Sequence, residues 1–121
     1  MAFSVEYDET TEIILVRISG HFDLRVLKNL AVQVGKATQK YGCCRILNDL
    51  RQAEITKDAF NIYNMPKTAQ KSGVEFRCKR ALVVMPGVTD FNFLETVFVN
   101  QGHIVKLFTD IDTATAWLSK F

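Results

Sequence analysis

The sequence has none of the short motifs that announce a common active site: no phosphate-binding glycine loop, no dinucleotide fingerprint and no metalloprotease helix. No cofactor is therefore indicated. It holds only three cysteines, Cys43 and Cys44 side by side and Cys78 alone. An odd count without regular spacing argues against a disulfide framework, a zinc knuckle or a thioredoxin-like pair, and a reducing, cytoplasmic setting fits best. No apolar run approaches the ~20 residues of a membrane span, and Met1-Ala2-Phe3-Ser4-Val5-Glu6 lacks a basic region followed by an apolar core. Secretion and membrane insertion are both disfavoured. An excess of one charge is missing too, with 15 Lys and Arg against 13 Asp and Glu. Nucleic-acid binders concentrate basic charge on one face or stripe, whereas here it is scattered. The densest cluster, Phe76-Arg77-Cys78-Lys79-Arg80, reads as a solvated strand end.

What is present is ordinary globular composition: 121 residues, 48% hydrophobic and 23% charged. A chain of this size buries about two thirds of its unfolded surface and needs no metal or disulfide to fold. No linker, repeat or low-complexity stretch interrupts it, which predicts one domain over residues 1–121.

The element pattern is legible. Phe3-Ser4-Val5-Glu6-Tyr7 alternates, Ile13-Ile14-Leu15-Val16-Arg17-Ile18 is a β-branched run, and the polar Asp8-Glu9-Thr10-Thr11 between them predicts an antiparallel hairpin. Gly20 is placed to stop the second strand. Asp23 can cap a helix in which Leu27, Leu30, Ala31, Val34 and Tyr41 recur near the helical period, with Gly42 as its stop. Cys43 to Leu47 reads as a short buried strand. Thr56 can cap a second helix carrying Phe60, Ile62 and Tyr63, broken or restarted at Pro66. Ala81-Leu82-Val83-Val84-Met85 has the unbroken apolar character of a strand covered on both faces, and Pro86-Gly87 ends it. Asp90 would open a third helix with Phe91, Leu94, Val97 and Phe98 on one side. Ile104 to Phe108 is a further strand, and Asp110 or Asp112 caps a last helix holding Ala114, Trp117, Leu118 and Phe121. The order is β-β-α-β-α-β-α-β-α, an α/β fold with a mixed, mostly parallel sheet of about five strands and four helices. Single helices between strands require right-handed parallel crossovers, so the last four strands should be parallel and the first antiparallel at an edge.

Ligands of open α/β sheets sit outside the carboxyl ends of the strands. Those ends are expected to present His21 and Asp23, then Asp49 and Arg51, then Thr89 and Asp90 after Pro86-Gly87, and finally Asp110. Arg51 offers a fork of donors suited to a carboxylate or phosphate, with Asp49 close enough to occupy it as a structural ion pair. His21 and Asp23 have the residue types of a base and its orienting carboxylate, or of a turn histidine beside a helix cap. Cys43 and Cys44 follow a helix's C-terminal stop, the wrong end to stabilise a thiolate, and read as buried and inert, while Cys78 has cationic neighbours that would favour reactivity if it were exposed. No metal site is indicated; His103 has no partner at metal-ligand spacing. Most of the nine Phe, three Tyr and one Trp belong in the core. Phe93 and Val99 fall off the core stripe of the third expected helix, which makes that surface a docking candidate.

The element order, with Ile18-Ser19-Gly20, Leu47-Asn48-Asp49-Leu50-Arg51, Arg80-Ala81-Leu82-Val83-Val84, and Phe108-Thr109-Asp110 followed by Ala114 and Trp117-Leu118, resembles the SpoIIAA-like fold of STAS domains and STAS/CRAL-TRIO-like bacterial proteins. The resemblance covers nearly the whole chain. It implies a non-enzymatic protein-interaction or regulatory module with a protein partner, and an exposed edge strand adds the expectation of a homodimer. In phospho-switch members, a strand ending in an Asp-Leu pair precedes a phosphorylatable Ser or Thr at the next helix start. The comparable position is Thr56, where Glu54-Ile55-Thr56-Lys57-Asp58 replaces the family's Asp-Ser-Ser-Gly-like signature and a simple helix cap is the alternative. The CRAL-TRIO side implies a carrier or sensor of a small lipophilic or anionic ligand. A small hydrolase or transferase using His21, Asp23 or Cys78 ranks behind both.

Overall fold

The computed structural model describes residues 3–55 and 77–120. Five strands, β1 (Phe3–Asp8), β2 (Ile13–Phe22), β3 (Arg45–Ile55), β4 (Lys79–Val83) and β5 (Ile104–Phe108), lie side by side in sequence order in one sheet. Three helices are described: α1 (Leu24–Tyr41), α2 (Asn92–Asn100) and α3 (Ile111–Leu118). The helix expected from Thr56 past Tyr63 to Pro66 lies outside the described residues, as does Phe121.

β1 pairs antiparallel with β2, from Phe3 opposite Ile18 to Asp8 opposite Ile13. The turn between them forms because the Asp8 carboxylate accepts the Thr10 N–H at 2.9 Å, and Glu12 takes a left-handed φ of 57° while donating to the Asp8 carbonyl at 2.8 Å. The pairs β2–β3, β3–β4 and β4–β5 are all parallel.

Strand alternation then divides the core in two. Ile14, Val16, Ile46, Leu50, Leu82 and Val105 face α1 and α2, where they meet Leu30, Val34, Leu94 and Phe98. Ile13, Leu47, Ala81, Val83 and Phe108 face the other way and are covered by Ala114 and Leu118 of α3. Each fully buried Leu, Ile or Val contributes about 1.5–3 kcal/mol.

The helix ends follow local chemistry. Asp23 caps α1 by accepting the Val26 N–H at 3.0 Å, and Gly42 closes it at φ 58°. Asp110, not Asp112, caps α3 through the Thr113 N–H at 2.8 Å. Asp90 does not open α2: the capping position is Phe91, which makes no side-chain cap, and its ring is buried instead. Two long-range contacts dock the helices. The Glu95 carboxylate of α2 accepts the Leu107 N–H of β5 at 2.7 Å. Lys79 donates from Nζ to the Trp117 and Lys120 carbonyls, each at 2.7 Å, a cation at the C-terminal end of α3.

β2 and β3 are longer than the sequence pattern suggests. Gly20 lies within β2 at φ 75° and does not end it. β3 reaches Ile55 because a bulge absorbs one extra residue: Arg17 pairs with Asp49 and Ser19 with Gln52, so Leu50 and Arg51 together oppose Ile18.

The cysteine expectation is overturned. Cys44 and Cys78 form a disulfide, with Cα atoms 4.4 Å apart. They stand immediately before the paired residues Arg45 and Lys79, so the parallel register places them side by side although 34 positions separate them. Cys44 is thus not a free thiol, and Cys78, wholly buried and bonded, is not a reactive one. Cys43 is the free cysteine; it is buried, and its Sγ donates to the Glu12 carbonyl at 3.2 Å. A cross-link closing a loop of this length stabilises by roughly 3–4 kcal/mol in the chain-entropy account. Reduction, or Cys44→Ala, should lower the urea midpoint by an amount corresponding to about 2–4 kcal/mol; an unchanged midpoint would show that the bond contributes nothing to the folded state.

Candidate functional site

The carboxyl ends of the parallel strands are the first place where functional side chains can gather. His21 is exposed near the end of β2, opposite Glu54 of β3 in the parallel register. Asp23 is committed to its cap, and no hydrogen bond joins it to His21 among the described residues. The base-and-carboxylate pairing is therefore not formed. Thr56 follows the last residue of β3 and lies outside the described residues.

Asp49 and Arg51 sit in the middle of β3, four or more residues before its end at Ile55, and so do not belong to this rim. Here the structural ion pair holds: Arg51 donates from Nε at 2.9 Å and from Nη2 at 2.8 Å to the two carboxylate oxygens, and its own N–H reaches Oδ1 at 3.2 Å. These bonds, the side-chain ones foremost, hold the Asp49 carboxyl below the usual carboxylate range. Their geometry is that of the bulge, and the fork is filled from within the chain. Phe93 also departs from expectation, being half-buried against the core beside α1 and α2 rather than standing off it. Val99 does remain exposed.

What the rim presents instead is the turn after β4. Every residue from Met85 to Asp90 is exposed, with Met85 at 47% and Val88 at 37% accessibility. Gly87, at φ 84°, and the Val88 N–H bonded to the Met85 carbonyl at 3.1 Å fix the turn so that both apolar side chains face solvent. Beside it a groove of about 340 Å³ runs between Val88 and Asn92 on one side and Thr109, Asp110 and Thr113 on the other. An exposed apolar pair next to a groove whose walls also include the apolar Val84, Leu107 and Phe108 suits a macromolecular contact better than catalysis. Among the described residues, no three His, Cys, Asp or Glu side chains converge as a metal site would require.

A second constellation was not anticipated and lies inside the protein. Arg80, expected to be solvated, is only 7% accessible, and His103, just before β5, is 4% accessible. Arg80 shares its strand face with Leu82 and Val84, so it points into the apolar layer under α1 and α2. That signal, an arginine in step with the apolar residues of an interior strand, was present in the sequence. The guanidinium donates from Nη2 to Nδ1 of His103, which places the imidazole proton on Nε2. It also lies 5.1 Å from the Phe98 ring centroid. Burial lowers the Arg80 pKa to about 10, which leaves it charged at neutral pH. Burial and, secondly, the Arg80 charge push His103 down to about 4.

A histidine with a folded pKa near 4 and an ordinary value of 6.5 binds its proton more readily when unfolded. Stability from this group is therefore complete above pH 6.5 and is lost as the pH falls toward 4, by roughly 1–3 kcal/mol. Urea titrations at neutral and mildly acid pH should show this loss, and His103→Gln should abolish that share of it. An identical acid loss in the variant would refute the assignment.

No protein-family model matches this sequence, and no curated protein does. Its structure, however, is similar to several solved ones. The unphosphorylated anti-sigma factor antagonist SpoIIAA superposes with a TM-score of 0.61 at 14% identity, over 99% of this chain and 100% of that one. An anti-sigma factor antagonist from Mycobacterium paratuberculosis gives 0.61 at 13%, covering 98% and 95%. An uncharacterized Shewanella loihica protein with a SpoIIAA-like fold gives 0.60 at 17%, covering 97% and 92%. Together with the strand order and the two-sided core, these likenesses show that the chain has the SpoIIAA-like, STAS-type fold.

Proposed function

We propose that this chain, as one STAS-like domain over residues 1–121, is a non-enzymatic regulatory module that works by docking on a partner protein. The observation that carries this reading is the exposed apolar pair Met85 and Val88 at the carboxyl-end rim, beside the groove that ends at Asp110 and Thr113. Two proteins of like fold, named anti-sigma factor antagonists, support it. The rim is suited to such a role because its turn is built by backbone bonds and a glycine. Its outward side chains are then free to be selected for a partner rather than for packing.

A cytoplasmic setting belongs to the same reading. The Cys44–Cys78 bond counts against that setting, because disulfides persist mainly in oxidising compartments. Homodimerisation belongs to it as well, through the edge strand β1, and so does phosphorylation of Thr56. SpoIIAA, a protein of like fold whose structure is also known in a phosphorylated form, supports the last of these. Thr56 follows directly on β3, close in sequence to His21's register partner Glu54.

Two measurements check the proposal. Affinity purification from native cells should retain one stoichiometric partner protein with the wild type, and Met85→Asp with Val88→Asp should weaken that association at least about tenfold while leaving the thermal midpoint nearly unchanged. Retention of the same partner by the double variant would remove the rim from consideration. Native mass spectrometry of the protein from the same cells should show a dimer, with a phosphate's mass on the peptide holding Thr56; a bare monomer would overturn both expectations.

A further inference from the structure

Between α1, α2 and the sheet lies a cavity of about 80 Å³. Its described walls are apolar, formed by Ile18, Leu30, Val34, Leu82, Leu94 and Phe98, except where Asn48 and Arg80 join them. These two are diagonal neighbours on one face of paired strands, since Ile46 pairs with Arg80 and Asn48 with Leu82. The Asn48 amide is spent on the Ala81 carbonyl at 3.4 Å.

Arg80 is an electrostatic anomaly. A charged side chain taken this far from water is normally matched by an opposite charge, because its desolvation is costly. No carboxylate among the described residues lies within ion-pair distance of it. His103 is neutral and accepts from Nη2, Phe98 offers its ring face, and the Arg80 Nε has no hydrogen-bond partner. A buried, still-charged guanidinium with an unspent donor, in the wall of an apolar cavity, is half of a binding site. It lacks an anion.

We propose that this cavity binds a short-chain monocarboxylate, its carboxylate accepting from the Arg80 guanidinium and its alkyl chain filling the space between α1 and α2. A carboxylate matches the planar fork of donors and brings the single negative charge that the cation lacks. A phosphate dianion would need more donors than the apolar walls provide. Size sets the chain length. A dry cavity of about 150 Å³ accepts benzene, so a space about half as large takes a chain of about three or four carbons beyond the headgroup, as in butyrate or isovalerate. This site is independent of the docking rim, since Met85 and Val88 do not line it.

The test is a calorimetric or chemical-shift titration of the wild-type protein with butyrate, butyramide and octanoate at neutral pH. Butyrate should bind, and butyramide, equal in shape but uncharged, should bind at least about tenfold more weakly. Octanoate should be excluded by length. The shifts should centre on Arg80, His103 and Leu30. Equal affinities for butyrate and butyramide, or no saturable binding by butyrate, would overturn the proposal. Two variants separate the parts of the site: Arg80→Met should erase the preference for the acid over the amide, and Ala31→Leu, which fills the cavity from α1, should abolish binding while leaving Arg80 in place. Binding of butyrate by the Leu variant at wild-type affinity would place the anion elsewhere and refute the assignment.

Discussion

The structure depends on β3 and β4 being covered on both faces at once. Both lie inside the sheet with parallel neighbours, so neither face can be left to water, and both must carry apolar residues almost without interruption. Ile46, Leu47 and Leu50 in β3, and Ala81, Leu82 and Val83 in β4, meet that demand. The rest of the molecule follows from it. α1 and α2 cover one face and α3 the other, the antiparallel β1 closes one edge, and Glu95 reaches from α2 to an N–H of β5. Even the disulfide is a consequence of this pairing, because the register that sets Arg45 beside Lys79 brings Cys44 beside Cys78.

Arg80 is the exception within that frame. Leu or Met at the same position would satisfy the core without leaving a guanidinium to be solvated by an imidazole and a phenyl ring. The surroundings hold the charge rather than neutralise it: the guanidinium remains a cation, and His103 stays neutral because of its own burial and that neighbouring charge. Local stability has been exchanged for an oriented cation facing an apolar cavity.

The interior and the rim are built by different means. Inside, side-chain positions are set by packing, so a change at one residue is felt by its neighbours. At the rim, the turn from Met85 to Asp90 is held by backbone bonds and by the left-handed Gly87, and its side chains bear little on the core. Such a division lets one fold keep its core while its contacts vary, and it fits chains that share an architecture at 13–17% identity.

Much of this was legible in local residues. The hairpin, the caps at Asp23 and Asp110, the stop at Gly42 and the strand from Ile104 each depend on a few adjacent side chains, whose periods and hydrogen-bonding groups are visible in the sequence. The parallel arrangement of β2 to β5 followed from the alternation of strand and helix. Tertiary structure alone decided the remainder. The bulge that drew Asp49 and Arg51 into mid-strand, the half-burial of Phe93, the bond between Cys44 and Cys78, and the meeting of Arg80 with His103 all require partners distant in the chain. The physical reason is range: caps and turns are closed by neighbours, whereas register, burial and the field around a charge are set by whatever the fold brings alongside.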